Sequence, residues 1–498
     1  MKNNPIYPLY RHISNRVPAP CRIGIFPVGL KKYWSQFPGL LDDLNRRVGI
    51  FVKRLGNDPD VQWVCAPMTD SAEAAFRTAE QLRAADCDLI FCYLATYAPA
   101  ATVVPVVQSV NRPVFLVSLQ PDARMEYDRA TQYRQLLNDN CTSLPEIANG
   151  MIRVNHPPAG IVVGRLEDDL RAEVRIQTWV RLGKVLHALR GAVIGQMGHT
   201  YEGMLDMHTD PTLATRAFQC HVQMIEPEEL LAEVKAVQSD AMRDKIHEVE
   251  GFFDFPGAGT DPHAGPVTRE QLEYSSRVAV GLDRLVEKNH LRGLCYYYIG
   301  EPGGEIHRLI PGMIVGNSLL TARGIPVAGE CDLKTCLAML MMDRLGAGGS
   351  FSELHPLDFV DDFVLVGHDG PAHAAIADRK PVLRGLSLLH GKEGQGASVE
   401  FSLKAGPITI AGLTIDSDNR FKLALAEGES LKGATPATGN TNTRAKFRPD
   451  TATFIERWSM EGLTHHFATG IGHFAGELAQ LAAILNIPSV NVTACLSN

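Results

Sequence analysis

CRIGIFPV (residues 21–28), FPGLLDDLNRRVGIFVKRL (37–55) and VQWVCAP (61–67) are the stretch whose reading decides the fold. The first and third runs are short and apolar, whereas the middle one carries apolar residues at helical spacing. A strand covered on both faces shows no polar alternation, and crossover helices are what cover it, so the pattern spells parallel strands joined by helices. The unit recurs: SAEAAFRTAEQLRAA (71–85) reads as a helix, CDLIFCYLATY (87–97) as a strand, AATVVPVVQSV (100–110) as a helix and RPVFLVSLQP (112–121) as the next strand. A doubly wound α/β architecture is therefore expected over about residues 20–190, in an N-terminal domain of 1–190.

Working outward, RLEDDLRAEVRIQTWVRLGKVLHALRG (165–191) reads as a long helix, and GAVIGQMGHTYEGMLDMHTD (191–210) opens a second round of strand and helix. HVQMIEP (221–227), EELLAEVKAVQ (228–238), VTREQLEYSSRVAVGLDRLVEKN (267–289) and GLCYYYIG (293–300) continue it to GIPVAGE (324–330), giving a second Rossmann-like α/β domain of 191–329. FPGAGTDPHAGP (255–266) is expected to be a loop inside that domain. After about residue 350 the character changes to turn-separated strand runs, SVEFSLK (398–404), GPITIAGLTI (406–415) and RFKLALAEGES (420–430). They predict a β-rich, barrel-like C-terminal domain of 330–498, closed by a helix and strand in GHFAGELAQLAAILNIPSVNV (472–492).

Composition narrows the function classes. With 498 residues and 45% hydrophobic content the chain can bury sizeable cores in two or three domains. A net charge of −8 without a cluster of Lys and Arg argues against nucleic acid and anionic lipid as partners. No run of about 18 apolar residues occurs, and MKNNPIYPLYRHISNRVPAP (1–20) lacks a signal-peptide core, so no membrane association and a cytoplasmic location are expected. The ten cysteines, Cys21, Cys65, Cys87, Cys92, Cys141, Cys220, Cys295, Cys331, Cys336 and Cys495, form no close CxxC pair and read as buried small hydrophobes in a reducing compartment. The loops FPVGLKKYW (26–34) and LATYAPA (94–100) follow predicted strands, where open α/β sheets bind ligands. Neither a GxGxxG nor a Walker sequence is present, which removes support for nucleotide binding.

Four side chains carry the candidate chemistry: Glu330 in PVAGECDLKT, Glu353 in GGSFSEL, His368 in FVLVGHD and His466 in LTHHFATG. Each has an ordinary structural reading as well. Glu330 could interact with the start of the following helix, although Asp332 competes for that capping role. Glu353 follows a glycine turn that could merely connect elements, and His368 could be a satisfied core histidine. His465 and His466 are adjacent and point in different directions, so one would be a primary ligand and the other a second partner or a substrate contact. His199 and His473 are further candidates, with ordinary polar roles favoured. The run Tyr296–Tyr298 is expected to pack a strand. Together, two carboxylates and two imidazoles form a mixed oxygen and nitrogen set suited to a divalent first-row ion such as Mn²⁺, Co²⁺ or Fe²⁺. Interconversion of aldoses and ketoses needs such a set: an ion to stabilise charge on two neighbouring sugar oxygens and carboxylates to move a carbon-bound proton.

These runs, in this order, resemble the L-arabinose isomerase and L-fucose isomerase group. The arabinose enzymes share an acidic residue before a D-x-K-T helix start, an acidic residue after a glycine-rich Ser-Phe turn, a histidine closing an apolar run and a late His-His pair. The resemblance implies a three-domain layout, Glu330, Glu353, His368 and His466 as metal ligands, and Glu330 with Glu353 as the acid/base pair. It also implies a closed homo-oligomer, trimeric or hexameric, in which His156 of RVNHPPAG (153–160) reaches a neighbouring subunit's site. LATYAPA stands where the arabinose enzymes tend to have a histidine-containing loop, and LVSLQP (116–121) replaces a more polar continuation. The expectation is a metal-dependent isomerase converting L-arabinose to L-ribulose through an enediol. The same chemistry on L-fucose or a related sugar is the alternative, a catalytically silent sugar-binding protein is the rival of another class, and a closed, purely structural metal site is a third reading.

Overall fold

The structure is a computed structural model, and it describes residues 20–258, 261–386, 388–389, 392–393 and 396–494. Most of the N-terminal segment considered for a signal peptide, and Cys495, lie outside the described residues. The chain forms two compact units that divide between His187 and Ala188.

The first unit holds β1 (Cys21–Val28), β2 (Val61–Cys65), β3 (Leu89–Leu94), β4 (Val114–Gln120) and β5 (Gly160–Arg165) in a five-stranded sheet of order β2-β1-β3-β4-β5. Every pairing in it is parallel. β3 is buried at all six positions, as a strand with helices on both faces must be. On one face Phe115 packs on Trp179 of the helix Leu170–Leu189, with ring centroids 4.4 Å apart. On the other, Leu82 and Val107 from two crossover helices close over Phe26, Ile90 and Leu116. Each such fully buried side chain contributes roughly 1.5–3 kcal/mol.

The second unit begins with another parallel sheet. β6 (Val193–Gly198), β7 (His221–Ile225), β9 (Leu291–Tyr297) and β10 (Val327–Ala328) are arranged in the order β10-β9-β6-β7. Within the Gly/Pro-rich stretch expected to be a loop lies a two-residue strand, β8 (Ala264–Gly265). It pairs with β13 (Val382–Leu386), far along the chain, in a sheet completed by β16 (Ala397–Glu400). That partner is invisible to local pattern reading.

The remaining strands form the barrel that the sequence reading expected. β11 (Ser350–Asp358), β12 (Phe363–Gly367), β17 (Gly406–Ile415), β18 (Phe421–Leu431), β19 (Thr443–Phe447) and β20 (Phe467–Ile471) pair antiparallel around a closed circuit, β17-β20-β11-β12-β19-β18 and back to β17. Closure removes exposed strand edges. A further strand, β21 (Ser489–Asn491), adds parallel to β18, and Leu388–Leu389 pairs with Lys392–Glu393 in a small separate ladder. The strand-only reading of this region missed the helix Thr451–Met460. Its start is capped by Asp450, which accepts from Thr453 N at 2.9 Å, and Phe454 and Trp458, one turn apart, stack into the barrel core beside Phe447.

Two of the cysteines depart from expectation: Cys65 and Cys141 are exposed. Cys65 ends the short strand β2 at the sheet edge and Cys141 lies in a loop, so neither has a second layer to cover it. No described helix is long and apolar enough to cross a membrane.

Candidate active site

Barrel register brings three of the four candidate ligands together. Glu353 on β11 lies directly opposite Gly367 at the end of β12, so His368 follows one residue beyond its partner. Ser352, the residue before Glu353, lies opposite Phe467 at the start of β20, which places His466 just outside that strand. An irregularity in the β11–β12 ladder immediately after Leu354 ends the regular pairing at the point where these side chains leave the sheet. Phe351 fills the floor, its ring centroid 4.6 Å from that of His368 and 4.4 Å from that of His466.

Glu330 arrives from a different element, the turn Gly329–Cys331 after β10, at the carboxyl end of the parallel sheet. Glu330 and Cys331 both adopt left-handed backbone conformations, with φ of 55° and 61°. Non-glycine residues held in this way cost of order 1–3 kcal/mol each, and such strain concentrates where a side chain must be aimed. The following helix, Leu333–Leu345, is capped by Asp332, which accepts from Thr335 N at 3.0 Å and from Thr335 Oγ1 at 2.6 Å. Asp332 therefore takes the capping role and leaves Glu330 free to face the cluster.

His368 Nε2 and His466 Nε2 lie 3.2 Å apart, His368 Nε2 is 3.9 Å from Glu353 Oε1, and His466 Nε2 is 3.5 Å from Glu330 Oε2. Glu330, His368 and His466 converge as one group of donors, and Glu353, His465 and His466 as a second, overlapping one. Glu330 Oε2 is buried without a hydrogen bond of ordinary geometry among the described residues. A buried carboxylate oxygen left in that state is costly unless something positive meets it, so these residues fit a divalent cation.

The electrostatics agree with that fit. Burial would raise the Glu330 carboxyl, but its interaction with His465 and the charges of His466 and His368 outweigh this and hold it below the usual range. Burial lowers His466, with help from His368 against the pull of Asp332. Burial likewise disfavours charge on His368, yet Asp369, 3.1 Å from its Nδ1, raises it. Each imidazole thus has a carboxylate behind the nitrogen that faces away from the cluster, Asp369 for His368 and Asp332, at 3.4 Å, for His466. Metal-binding histidines have carboxylates on that side, although here neither Nδ1 makes a hydrogen bond of ordinary geometry among the described residues.

His465 faces the same cluster from its open side, with Nε2 3.8 Å from Glu330 Oε2. Asp206 accepts from both its backbone N, at 2.9 Å, and its Nδ1, at 2.6 Å. Those bonds, with Glu330, push His465 up to about 10; Asp206, despite its burial, is drawn down to about 2 by His465. Asp206 is a residue that sequence reasoning missed. The available signal was its position in GMLDMHTD, after β6 and beyond the carboxyl end of a parallel strand. Lys334 was also passed over: 1% exposed, it donates to Met207 O and Thr209 Oγ1, each at 3.0 Å, and pins the turn that carries Asp206.

The other candidates lie elsewhere. His156 is half-buried in the first unit, after the helix Leu144–Arg153. His199 interacts with Thr200 O, and His473 is exposed beside Gly428 O; neither joins a metal-competent group among the described residues. Tyr296 and Tyr298 are buried, and the run extends from β9 as expected.

The fold and site thus define a protein of parallel α/β sheets and a closed β-barrel, with a carboxylate and imidazole cluster set where they meet in the second unit. Residues 348–488 match the L-arabinose isomerase C-terminal domain family, a span that includes Glu353, His368, His465 and His466. The chain is 22% identical over 448 residues to L-arabinose isomerase 1 of Bacillus licheniformis, covering 87% of each chain. It is 24% identical over 447 residues to L-arabinose isomerase of Arthrobacter sp. (strain FB24), covering 88% of this chain and 83% of the relative. The chain is thus similar to L-arabinose isomerases over most of its length.

Proposed function

We propose that this protein is a metal-dependent aldose–ketose isomerase that converts L-arabinose to L-ribulose. The observation that carries this reading is a pair of overlapping donor groups, Glu330 with His368 and His466 and Glu353 with His465 and His466, in which a buried Glu330 oxygen makes no hydrogen bond of ordinary geometry among the described residues. Its likeness along most of the chain to proteins named L-arabinose isomerase supports the choice of sugar.

Glu330, Glu353, His368 and His466 would hold the ion, Mn²⁺ first and Co²⁺ or Fe²⁺ as alternatives. When bound, it supplies positive charge against the negative charge that develops on two neighbouring sugar oxygens. The carboxylates do the proton transfer. One takes the proton from C2 of the open-chain aldose while O1 gains a proton, giving the enediol. The acid so formed returns a proton to C1 as O2 loses its own, leaving the ketose. Glu330 and Glu353 suit these roles because they lie on the open side of the cluster, each partly accessible, while His368 and His466 are buried behind them. Phe351 excludes water from the floor, which strengthens every charge interaction above it.

We assign the functional division 1–190, 191–329 and 330–498, with all four ligands falling in 330–498 and Glu330 at its very start. The protein works in the cytoplasm as a trimer or hexamer in which His156 reaches a neighbouring subunit's site. L-fucose is the alternative substrate, favoured by the LATYAPA and LVSLQP loops.

The test is ketose formation by metal-stripped protein on L-arabinose, L-fucose, D-arabinose and D-galactose, with and without Mn²⁺. Turnover restored by Mn²⁺ and highest on L-arabinose is expected, with Glu330→Gln and Glu353→Gln each inactive but folded. Wild-type activity in either variant, or sugar binding without turnover, refutes the assignment; the latter points to a silent sugar-binding protein.

A further inference from the structure

Three imidazoles surround the cluster, and they are not equivalent. His368 and His466 are buried, whereas His465 is half-buried and shares the open side with Glu330 and Glu353. A molecule entering from that side meets the His465 ring. Contrary to the expectation from their adjacency, the His465 and His466 rings lie together, 3.9 Å between centroids, with both Nε2 atoms toward Glu330 Oε2, and something must hold the exposed one there. That hold is Asp206, whose Oδ2 meets both the backbone N and the Nδ1 of the same residue, 259 positions away in the chain.

We propose that Asp206 is a positioning residue that fixes the His465 ring with Nε2 toward Glu330, and that His465 so held hydrogen-bonds a hydroxyl of the bound sugar. This rests on the isomerase reading for the identity of the ligand, but the hold itself does not. A free imidazole at that exposure would sample several rotamers. Two bonds to one carboxylate oxygen remove that freedom, since rotating the ring breaks the Nδ1 contact while the backbone contact keeps Asp206 in place. The carboxylate is itself fixed from below. Lys334 Nζ binds Met207 O and Thr209 Oγ1 at 3.0 Å, so the turn of Asp206 is tied to the helix that starts at Leu333. That helix follows Glu330 directly, and one buried cation therefore couples the placement of Glu330 to that of His465. A sugar hydroxyl between Nε2 and the Glu330 carboxylate would find both partners already aimed, which lowers the entropy lost on binding.

The experiment uses full-length wild type, Asp206→Ala, Asp206→Asn and Lys334→Met, with three readouts. The first is the histidine Nδ1–H spectrum of ¹⁵N-histidine-labelled protein, in which the resonance of His465 is identified by its loss in His465→Gln. The second is Mn²⁺ binding by calorimetry, and the third is kcat and KM on L-arabinose with Mn²⁺. In Asp206→Ala the hydrogen-bonded resonance disappears and kcat/KM falls about 10- to 100-fold, the usual range for partners that orient a site residue, mainly through KM. Asp206→Asn, which keeps one carbonyl acceptor, restores most of both. Lys334→Met shifts the resonance without touching Asp206. Mn²⁺ affinity stays within about threefold of wild type in Asp206→Ala, against the 10- to 100-fold loss expected were it supporting a metal ligand.

An unchanged resonance in Asp206→Ala overturns the hold, and a lost resonance with wild-type kcat/KM overturns its function. A large loss of Mn²⁺ affinity makes His465 a ligand and overturns its assignment to the sugar. Should wild type show no metal-restored turnover, the isomerase reading fails separately. L-arabinose titration into wild type and Asp206→Ala then decides the matter: weaker binding in the variant supports the proposal, and equal or absent binding overturns it.

Discussion

Asp332→Asn should destabilise the metal-free protein by about 3 kcal/mol, a cost set by a buried charge rather than by the helix cap. Asp332 is fully buried, and Lys334 is nearly so, with Nζ 3.7 Å from Asp332 Oδ1. Burial pushes the Asp332 carboxyl up, but Lys334, His466 and Thr335 outweigh it and hold the group well below the usual range, so it is ionised in the folded protein. Asparagine keeps an oxygen for Thr335 N and hence the cap, but removes the charge that faces Lys334. Breaking a buried pair by removing one member typically costs about 3–5 kcal/mol. The lower end applies because Lys334 retains two neutral acceptors at 3.0 Å. Asp332→Ala adds the lost cap, about 1 kcal/mol more. In a unit of about 300 residues, 3 kcal/mol corresponds to a fall in Tm of about 5 °C.

The assay is urea and thermal denaturation of Asp332→Asn, Asp332→Ala, Lys334→Met and the double variant Asp332→Asn/Lys334→Met, all without metal. The double variant buries neither charge and should be more stable than the sum of the single losses by about 2 kcal/mol or more. Additive losses, or an Asp332→Asn within about 0.5 kcal/mol of wild type, would refute the charge argument and leave Asp332 as a cap alone.

Asp343 gives a pH dependence remote from the cluster. Burial raises it, but His373 at 3.1 Å and Arg344 at 2.7 Å more than compensate, and its folded pKa lies below its unfolded one. Its contribution is therefore present above an unfolded pKa of about 3.9 and is lost as pH falls through the folded value. Asp343→Asn should cost about 1–3 kcal/mol at pH 7 and flatten the loss of stability on acidification, read by denaturation between about pH 3 and 7; an unchanged acid limb would exclude Asp343 as its source. Gly198→Ala should cost at least about 2 kcal/mol, because Gly198 has φ of +83° and an added Cβ would lie 2.1 Å from the backbone oxygen of Tyr297. A Tm within 1 °C of wild type, by calorimetry, would show that β6 and β9 separate freely at that point.

The sequence by itself determined the secondary-structure class and the donor chemistry. Continuous apolar runs such as LIFCYL between turn signals read as strands covered on both faces, and periodic stretches such as LLDDLNRRVGIFVKR as the helices that cover them, because these readings depend on neighbours within a few residues. The four donors were legible for a similar reason: Glu330 and His368 follow locally readable strands, Glu353 lies near the start of β11 after a glycine turn, and His466 lies just before β20. The helix Thr451–Met460 was locally readable too, from Asp450 and the Phe454–Trp458 spacing, but was masked by the strand character around it.

Tertiary structure alone decided what depends on partners distant along the chain. β8 is a strand only because β13 passes beside it more than a hundred residues later. Barrel closure rests on β17 meeting both β18 and β20, and it is the pairing of β11 with both β12 and β20 that puts His466 against His368, 98 positions away. Asp206 has no local signature because a carboxylate acquires a role only from the groups that the fold delivers to it, here the amide and ring of His465 and, through its turn, the ammonium of Lys334. Local pattern fixes which surfaces are apolar and which side chains are reactive, whereas the meeting of those side chains is a property of long-range register, which no short window of sequence contains.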